Sequence, residues 1–264
     1  MKNYKILVTN DDGIGSPGLL AAAEAVQEFG EIIVIAPSTQ QTAMGRSLQG
    51  NRNAALQPID YKVNGKIIEA YHCDCAPAIL VRHSLDVVFQ DRKPDMIVSG
   101  INYGENIGAT ITSSGTVGAA MEGATFGVPS IAVSKETNFA DHKRYTEQNW
   151  NATKYFLNIF AGKVLENKLP DDVDVIKIDV PESADISTPW KITRQSKFAY
   201  YSTIIDTPSL KSKLGDGKIG INENLVNVEK DSDIYAFSID KVVSVTPISI
   251  DLTSRIDFDK IFVD

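Results

Sequence analysis

The sequence predicts an α/β protein with a doubly wound, Rossmann-like and mostly parallel sheet, followed by a C-terminal extension rich in β-structure. Three observations lead to this prediction: short apolar runs alternate with amphipathic helical patterns, polar loops follow the apolar runs, and helical periodicity disappears from about residue 186. Such alternation is typical of a parallel sheet with helices packed on its faces. We therefore divide the 264 residues into a core, residues 1–185, and an extension, residues 186–264.

Hydrophobic patterning and helix start signals define the elements of the core. Ile6–Val8 is typical of a buried parallel strand, and Ser16 followed by Pro17 marks the start of a helix. An Asn64-Gly65 pair between two β-like pieces predicts a hairpin turn. The predicted strands are Lys5–Thr9, Glu31–Ala36, Tyr61–Val63, Lys66–Tyr71, Met96–Gly100, Ser130–Val133 and Val175–Val180. The predicted helices are Pro17–Phe29, Ala76–Val88, Gly115–Phe126 and a long one from Tyr145 to Leu165.

The extension has a different character, because β-branched and aromatic residues mix there with turn dipeptides. The segment Tyr200–Asp233 is polar and has little core of its own. It predicts an extended arm or hairpin that packs on another subunit. The last apolar run, Val242–Pro247, predicts a strand that returns to the core.

Composition and charge argue against several classes of protein. A net charge of −8 is unfavourable for a surface that binds nucleic-acid duplexes. The sequence contains no apolar stretch of the roughly 18 residues that span a membrane, and its N-terminus lacks the apolar segment of a secretory signal. Cys73 and Cys75, one residue apart, are typical of reduced thiols, and a soft-metal site with His72 and Asp74 is the alternative. We expect a cytoplasmic protein that binds neither duplexes nor membranes.

Two adjacent acids, Asp11 and Asp12, directly follow the first predicted strand. Ligands of open α/β sheets bind at the carboxyl ends of strands. Two carboxylates at such a place repel each other and would also repel a phosphate. A divalent cation between them removes both difficulties, so the pair indicates a metal site. The alternative is a structural role, in which the acids complement a helix dipole and form a turn.

Three further polar loops follow predicted strands, at residues 36–45, 99–106 and 112–118, and the fold brings them to one sheet edge. In the last loop, glycines and free N–H groups at a helix start are suited to an anion, and Ser114 and Thr116 add hydroxyl donors. We expect phosphate binding there, with helix capping as the alternative. Carboxylate, amide and hydroxyl oxygens suit Mg²⁺ or Mn²⁺ better than zinc.

Gly13, Gly15 and Gly18 fit the glycine pattern of dinucleotide-binding proteins. Two features argue against that interpretation. The acids precede the glycines, where a pyrophosphate would approach, and the strand Ile32–Ile35 does not end in an acid that would bind a ribose. A redox protein with a nicotinamide or flavin cofactor stays an alternative hypothesis.

These loops, in this order and spacing, resemble those of the SurE family (survival protein E), a group of metal-dependent 5'/3'-nucleotidases. The motifs that carry the resemblance are ILVTNDDGI at residues 6–14, SGIN and GENIG at residues 99–108, and SGTVGAAMEGA at residues 114–124. The resemblance covers nearly the whole chain. It implies a phosphomonoesterase that releases phosphate from nucleoside monophosphates, and a homodimer or homotetramer formed through the C-terminal hairpin.

The resemblance also implies the site residues. One divalent cation per subunit, Mg²⁺ or Mn²⁺, would be bound by four oxygen ligands: Asp11, Asp12, Thr42 and Asn102. Threonine stands at residue 42 where the family usually has serine. Asp11 and Asp12 would be catalytic, with Asp11 orienting or deprotonating the attacking water or attacking phosphorus itself. The residues expected to bind phosphate and substrate are Asn10, Asn106, Ser114, Gly115 and Thr116.

Three positions depart from the family's usual pattern. Ser38 stands where an aspartate is usual, Arg46 where a histidine is usual, and Pro77 ends a segment, Cys73–Pro77, that is usually Gly-Thr-Pro-Ala-Asp. Arg46 either contacts the substrate phosphate or is a solvated surface residue. These departures motivate a second hypothesis, in which the chain is a non-catalytic sensor of nucleotide or phosphate on the same scaffold.

Overall fold

The computed structural model describes residues 3–142, 144–167, 169–222, 225 and 227–260. Within these residues the chain forms twelve strands and four α-helices. The strands are β1 (Tyr4–Thr9), β2 (Gly30–Pro37), β3 (Gln57–Pro58), β4 (Tyr61–Val63), β5 (Lys66–Cys73), β6 (Met96–Tyr103), β7 (Ser130–Lys135), β8 (Val175–Val180), β9 (Trp190–Ile192), β10 (Tyr201–Ile204), β11 (Lys218–Ile221) and β12 (Val243–Ile248). The α-helices are α1 (Pro17–Val26), α2 (Pro77–Val87), α3 (Gly115–Thr125) and α4 (Asn151–Glu166).

The central sheet confirms the predicted fold class. It has ten strands, nine of them in the order β3-β5-β2-β1-β6-β7-β8-β12-β9, and β4 pairs with β5 outside this path. Pairing is parallel from β5 to β8, whereas β12 is antiparallel to β8. From β1 the chain builds the sheet outward through β2 and β5, and then in the other direction through β6, β7 and β8. The switch point between β1 and β6 is where ligands bind in sheets of this kind.

Both faces of β1 are buried, as its continuous apolar run predicts. Ile6 and Val8 pack in the cluster that contains Leu19 of α1 and Phe156 of α4. Leu7 points to the other face and belongs to the cluster that includes side chains of α2 and α3. Alternate residues of one strand therefore serve opposite helical layers, and the rigid strand between them ends at the acidic pair.

Two elements differ from the sequence prediction in ways that bear on the site. β6 runs through Tyr103 instead of ending at Gly100, so Asn102 lies within the strand and pairs in register with Ser134. α4 begins at Asn151 and not at Tyr145. The hydroxyl of Tyr145 donates to the backbone oxygen of Asp12 at 2.5 Å, and this contact holds the segment before α4 against the site.

The residues after β8 contribute to two sheets. β12 joins the central sheet beside β8, and β9 pairs with β12 in parallel. β10 and β11 pair only with each other, in an antiparallel hairpin that we call the hairpin arm. Among the residues that the structure describes, no helix combines the length and the apolar character needed to cross a bilayer.

Candidate active site

A cavity of about 310 Å³ opens where the carboxyl ends of β1 and β6 meet the start of α3. The loops after β1, β2 and β6, the segment after β7 and the hairpin arm form its wall. The cavity brings together most of the predicted site residues: Asp11, Asp12, Thr42, Asn102, Asn106 and Ser114. The four polar loops singled out in the sequence therefore meet at one sheet edge.

Asp11 is buried, with 6% of its surface exposed, and the start of α3 holds its carboxylate. The Thr116 hydroxyl donates to Asp11 Oδ1 at 2.5 Å. A Cβ atom at Gly115 would lie 2.7 Å from Asp11 Cβ, so only glycine leaves room for the acid. Burial raises the pKa of Asp11 above its usual value, and the Thr116 hydrogen bond acts against this rise. Gly115 and Thr116 thus contact Asp11 and do not line the cavity.

Asp12 is also buried and is fixed by two donors. The backbone N–H of Tyr103 donates to Oδ2 at 3.1 Å, and Gln40 Nε2 donates to Oδ1 at 2.9 Å. Burial, together with the negative charge of Asp11, raises the pKa of Asp12 to about 7. Gln40 is a site residue that the sequence analysis did not single out. Its signal was its position in the polar loop after β2.

Asn102, near the end of β6, and Asn106, in the loop that follows, are both held by their side-chain nitrogen atoms. Asn102 Nδ2 donates to the backbone oxygens of Gly104 and Tyr103 at 2.7 and 3.3 Å. Its amide oxygen has no donor within the described residues and is available to a cation. Asn106 Nδ2 donates to Ser134 Oγ at 2.9 Å. These contacts fix which end of each amide faces a ligand.

Ser114 lines the cavity and also caps a helix. Its Oγ accepts a hydrogen bond from the backbone N–H of Val117 at 3.1 Å, so it caps α3. The hydroxyl proton is not used in this bond and can be donated to a ligand in the cavity. Thr42 lies at the exposed rim of the cavity.

Asn10 was expected to bind phosphate or substrate, but its side chain is occupied by contacts with the backbone. Its side-chain nitrogen and oxygen both bond to the backbone of Gly13 at 3.1 Å, and it does not line the cavity. The side chain closes the turn that carries Asp11 and Asp12. The turn has a structural requirement of its own, because Gly13 has φ +98°.

The charge of the cavity is strongly one-sided. Besides Asp11 and Asp12, the wall contains Glu105, and within the described residues no lysine or arginine lines it. Burial raises the pKa of Glu105 to about 7, and the hydroxyl of Tyr201 donates to its Oε1 at 2.6 Å. Burial lowers the pKa of His142, which favours the neutral imidazole. The protein therefore places acids in this cavity without supplying a matching cation.

The donor set fits a hard divalent cation. Asp11 and Asp12 offer carboxylate oxygens, Thr42 a hydroxyl and Asn102 an amide oxygen, which are ligand types of Mg²⁺ and Mn²⁺. Among the described residues there is no group of three or more His, Cys, Asp and Glu side chains suited to a metal. Mg²⁺ commonly uses one or two carboxylates together with neutral oxygens.

The three departures from the family pattern all lie outside the cavity wall. Arg46 Nε bonds to the buried carboxylate of Glu122 at 2.5 Å, and Arg82 bonds to the other oxygen at 2.6 Å. Ser38 Oγ is 2.8 Å from His72 Nδ1. Pro77 occupies the first turn of α2. The structure thus gives Arg46 an ion pair in place of a contact with the site.

The glycine pattern also has a structural explanation. A Cβ atom at Gly18 would lie 2.1 Å from the backbone oxygen of Ile101, so this glycine allows α1 to pack closely against β6. The requirement comes from packing between a helix and a strand and needs no dinucleotide.

A buried charge cluster supports the site from behind, and the sequence analysis did not identify it. Lys177, Asp179 and Asp233 are fully buried, and Lys177 Nζ lies 2.5 Å from Asp179 Oδ2 and 3.3 Å from Asp233 Oδ2. Asp179 accepts the backbone N–H of Asn106 at 2.7 Å, and Asp233 accepts that of Gly108 at 3.0 Å. The signal was present in β8, where opposite charges two residues apart interrupt an apolar strand and share one face.

Fold and site together define a class: doubly wound α/β proteins whose strand-end cavity combines two buried carboxylates with neutral oxygen donors. The family model described as Survival protein SurE matches residues 6–202, and the chain belongs to the SurE family. The resemblance inferred from the motifs is thereby confirmed.

Relatives along nearly the whole chain support the same assignment. A protein of Thermococcus gammatolerans named 5'-nucleotidase SurE is 40% identical over 259 residues, which cover 97% of this chain and 94% of the relative. One of the same name from Methanocella arvoryzae is 37% identical over 260 residues, covering 95% and 94%. The crystal structure of the SurE protein from Aquifex aeolicus matches with a TM-score of 0.75 and 31% identity, and covers 95% of each chain.

Proposed function

We propose that this chain is a divalent-metal-dependent phosphomonoesterase that releases phosphate from nucleoside monophosphates. One observation carries the metal dependence: two buried carboxylates, Asp11 and Asp12, face a cavity that has no lysine or arginine in its described wall. A phosphate dianion beside these acids needs an additional positive charge. The name 5'-nucleotidase, shared by relatives of full length, supports the substrate class.

Asp11, Asp12, Thr42 and Asn102 would hold one cation, Mg²⁺ or Mn²⁺, per subunit. When bound, this ion supplies the charge that polarises a phosphoryl oxygen and offsets charge developing in the transition state. The fixed amide of Asn102 and the donors to Asp12 keep the oxygen ligands in place before the ion arrives. Such preorganisation lowers the cost of ordering a site on binding.

The residues of the chain divide the remaining work. Ser114 donates its hydroxyl proton to the phosphate, and the side chain of Asn106 lies in the same wall. Asp11 orients or deprotonates the attacking water, or attacks phosphorus itself. Thr116 and Gly115 act through Asp11, which they hold at the start of α3.

The non-catalytic sensor is the weaker candidate. It was motivated by Ser38, Arg46 and Pro77, and none of the three lines the cavity. The full-length relatives carry the name of an enzyme, which also favours hydrolysis.

We also propose a homodimer or homotetramer that forms through the hairpin arm in the cytoplasm. Ile204 and Ile221 of the arm are more than half exposed, at 57% and 51%, and a second subunit would cover them. Cys73 and Cys75 are free, which suits a reducing compartment. The net charge of −8 supports an expectation that neither nucleic-acid duplexes nor anionic membranes are partners.

A phosphate-release assay tests the function. Purified protein is incubated with a panel of nucleoside monophosphates in the presence of Mg²⁺, Mn²⁺ or a chelator. We expect release with at least one of the two ions and none with the chelator. Release that persists after chelation contradicts metal dependence. Tight nucleotide binding without release under every condition favours the sensor.

A further inference from the structure

The cavity has an apolar side that the phosphate chemistry does not use. Phe139, which follows β7, and Tyr201 and Ile219 of the hairpin arm line this side. Phe139 is 46% exposed, so part of its surface is open to a ligand. The cavity volume of about 310 Å³ lies at the low end of the range for small-molecule sites and exceeds what a phosphate group fills.

The ring of Phe139 has two aromatic neighbours, and both of them contact the loop after β6. Its centroid lies 4.8 Å from the His142 ring and 6.2 Å from the Tyr201 ring. His142 packs on Gly104, where a Cβ atom would lie 2.5 Å from the ring carbon Cε1. The Tyr201 hydroxyl donates to Glu105 Oε1 at 2.6 Å.

This arrangement fixes the aromatic side relative to the polar side. Gly104 and Glu105 lie between Asn102 and Asn106 in sequence, so one loop carries both the proposed phosphate and metal contacts and the anchors of the aromatic group. A ligand that is anionic at one end and flat and apolar at the other matches the cavity. A nucleoside monophosphate has this distribution of charge and shape.

We infer that Phe139 is the stacking surface for the base of the nucleotide substrate, and that the hairpin arm completes this base subsite with Tyr201. The inference rests on the proposed function and adds the residues that recognise the nucleoside. Stacking on an aromatic ring tolerates every base, because every base has a π-face. The subsite therefore accepts several bases and favours purines, which present the larger face.

The test compares a nucleotide with a phosphomonoester that lacks a base. The ratio of kcat/KM for adenosine monophosphate to kcat/KM for glycerol phosphate is measured for the wild-type protein, Phe139→Ala, Phe139→Leu and Phe139→Tyr. We expect the ratio to fall about tenfold in Phe139→Ala, mainly through KM, the size of one base–aromatic contact. Phe139→Leu, which keeps apolar volume without a ring face, loses most of the ratio. Phe139→Tyr retains it.

Tyr155→Ala is the matched control, because Tyr155 is 42% exposed on α4 and does not line the cavity. The ratio is expected to stay at its wild-type value in this variant. An unchanged ratio in both Phe139→Ala and Phe139→Leu overturns the inference, as does an equal loss in Phe139→Tyr.

Failure of the proposed function is distinguishable from failure of this inference. If the wild-type protein hydrolyses neither ester, the proposed function is wrong, and calorimetric titration with adenosine monophosphate decides the subsite alone. Affinity about tenfold weaker in Phe139→Ala supports the stacking role. Equal affinities, or no binding to the wild-type protein, overturn it.

Discussion

Among the described residues, two pairs of buried carboxylates differ in whether a positively charged side chain lies beside them. Asp179 and Asp233 share Lys177, and backbone N–H groups bond to both acids. Asp11 and Asp12 have no lysine or arginine within 4.0 Å among the described residues, although both are nearly as deeply buried. The first pair shares one buried lysine, whereas the second pair, as we propose, binds a cation from solution.

Asp179 and Asp233 are structural acids, whereas we propose a functional role for Asp11 and Asp12. Burying an uncompensated charge is costly, so a protein either pairs it, protonates it or leaves it for a ligand. At Lys177 the two acids overcome the effect of burial and raise the pKa of the ammonium group, which stays charged. Asp12 has no such oppositely charged neighbour among the described residues. Burial, together with the charge of Asp11, raises its pKa to about 7. A divalent cation bound there would restore the ionised state.

The largest expected effect on stability comes from removing Lys177, the lysine that Asp179 and Asp233 share. Lys177→Met leaves two acids buried without a cation, and we expect it to lower the free energy of unfolding by about 3–5 kcal/mol. Denaturant unfolding measures this. Lys191→Met is the control, because its ion pair with Asp240 is exposed and is expected to contribute less than about 1 kcal/mol. Equal effects of the two variants would remove the contrast between the pairs.

Asp11→Asn acts on the pair without a lysine, and we expect it to lower the activity without lowering the stability of the protein. Metal-dependent phosphate release should fall at least about a hundredfold, the scale of one preorganised electrostatic contact. The melting temperature in chelator should equal or exceed that of the wild-type protein, because a buried charge has been removed. Asp60→Asn, at an exposed acid outside the cavity, serves as the control. Near-normal turnover in Asp11→Asn contradicts the assignment.

Glu105 is a third buried acid in the cavity wall, and its raised pKa favours the protonated form. Burial raises its pKa from 4.5 to about 7, with Glu136 and Asp179 adding to the rise. Between these values the folded chain holds a proton that the unfolded chain has released, so stability falls as pH rises from about 4.5 to 7. Glu105→Gln should remove this loss and be more stable than the wild-type protein at pH 8 by on the order of 2 kcal/mol.

At pH 5 the two proteins should differ little, because Glu105 is protonated in the folded wild-type chain. Denaturant unfolding at both pH values measures the difference. A constant difference between pH 5 and pH 8 would show that the carboxyl group does not hold its proton on folding.

The smallest effect concerns a neutral ligand of the proposed cation. Thr42→Ser keeps the hydroxyl oxygen, and we expect phosphate release to stay within about tenfold of the wild-type rate. Thr42→Ala, which removes the oxygen, should lose more. Complete inactivity of Thr42→Ser, measured at saturating Mn²⁺, would mean that the methyl group positions the loop after β2.

The parts of the fold that depend on local patterning could be predicted from the sequence. The apolar run of β1, the start of α1 at Pro17 and the acids at the strand end follow from short-range chemistry. The predicted start of α4 at Tyr145 was wrong. Tyr145 fits a helical pattern in the sequence, but in the structure its hydroxyl bonds to the backbone oxygen of Asp12. Such a contact is visible only when distant segments meet.

The same distinction applies to the site. Asp11, Asp12 and Ser114 carry signals in their immediate neighbours, and the structure places all three in the cavity wall. The pairing of Asp233 with Lys177 joins segments separated by more than 50 residues and had no local signal. The role of the hairpin arm in the wall was also missed, since its polar composition indicated an arm or hairpin that packs on another subunit.

One measurement tests the contrast between the two acidic pairs most directly. Crystals soaked in Mn²⁺ are examined by anomalous scattering at the manganese edge. We expect one strong peak in contact with Asp11 and Asp12, and none at Asp179 and Asp233. An empty cavity in crystals of protein that hydrolyses nucleotides with Mn²⁺ would contradict it.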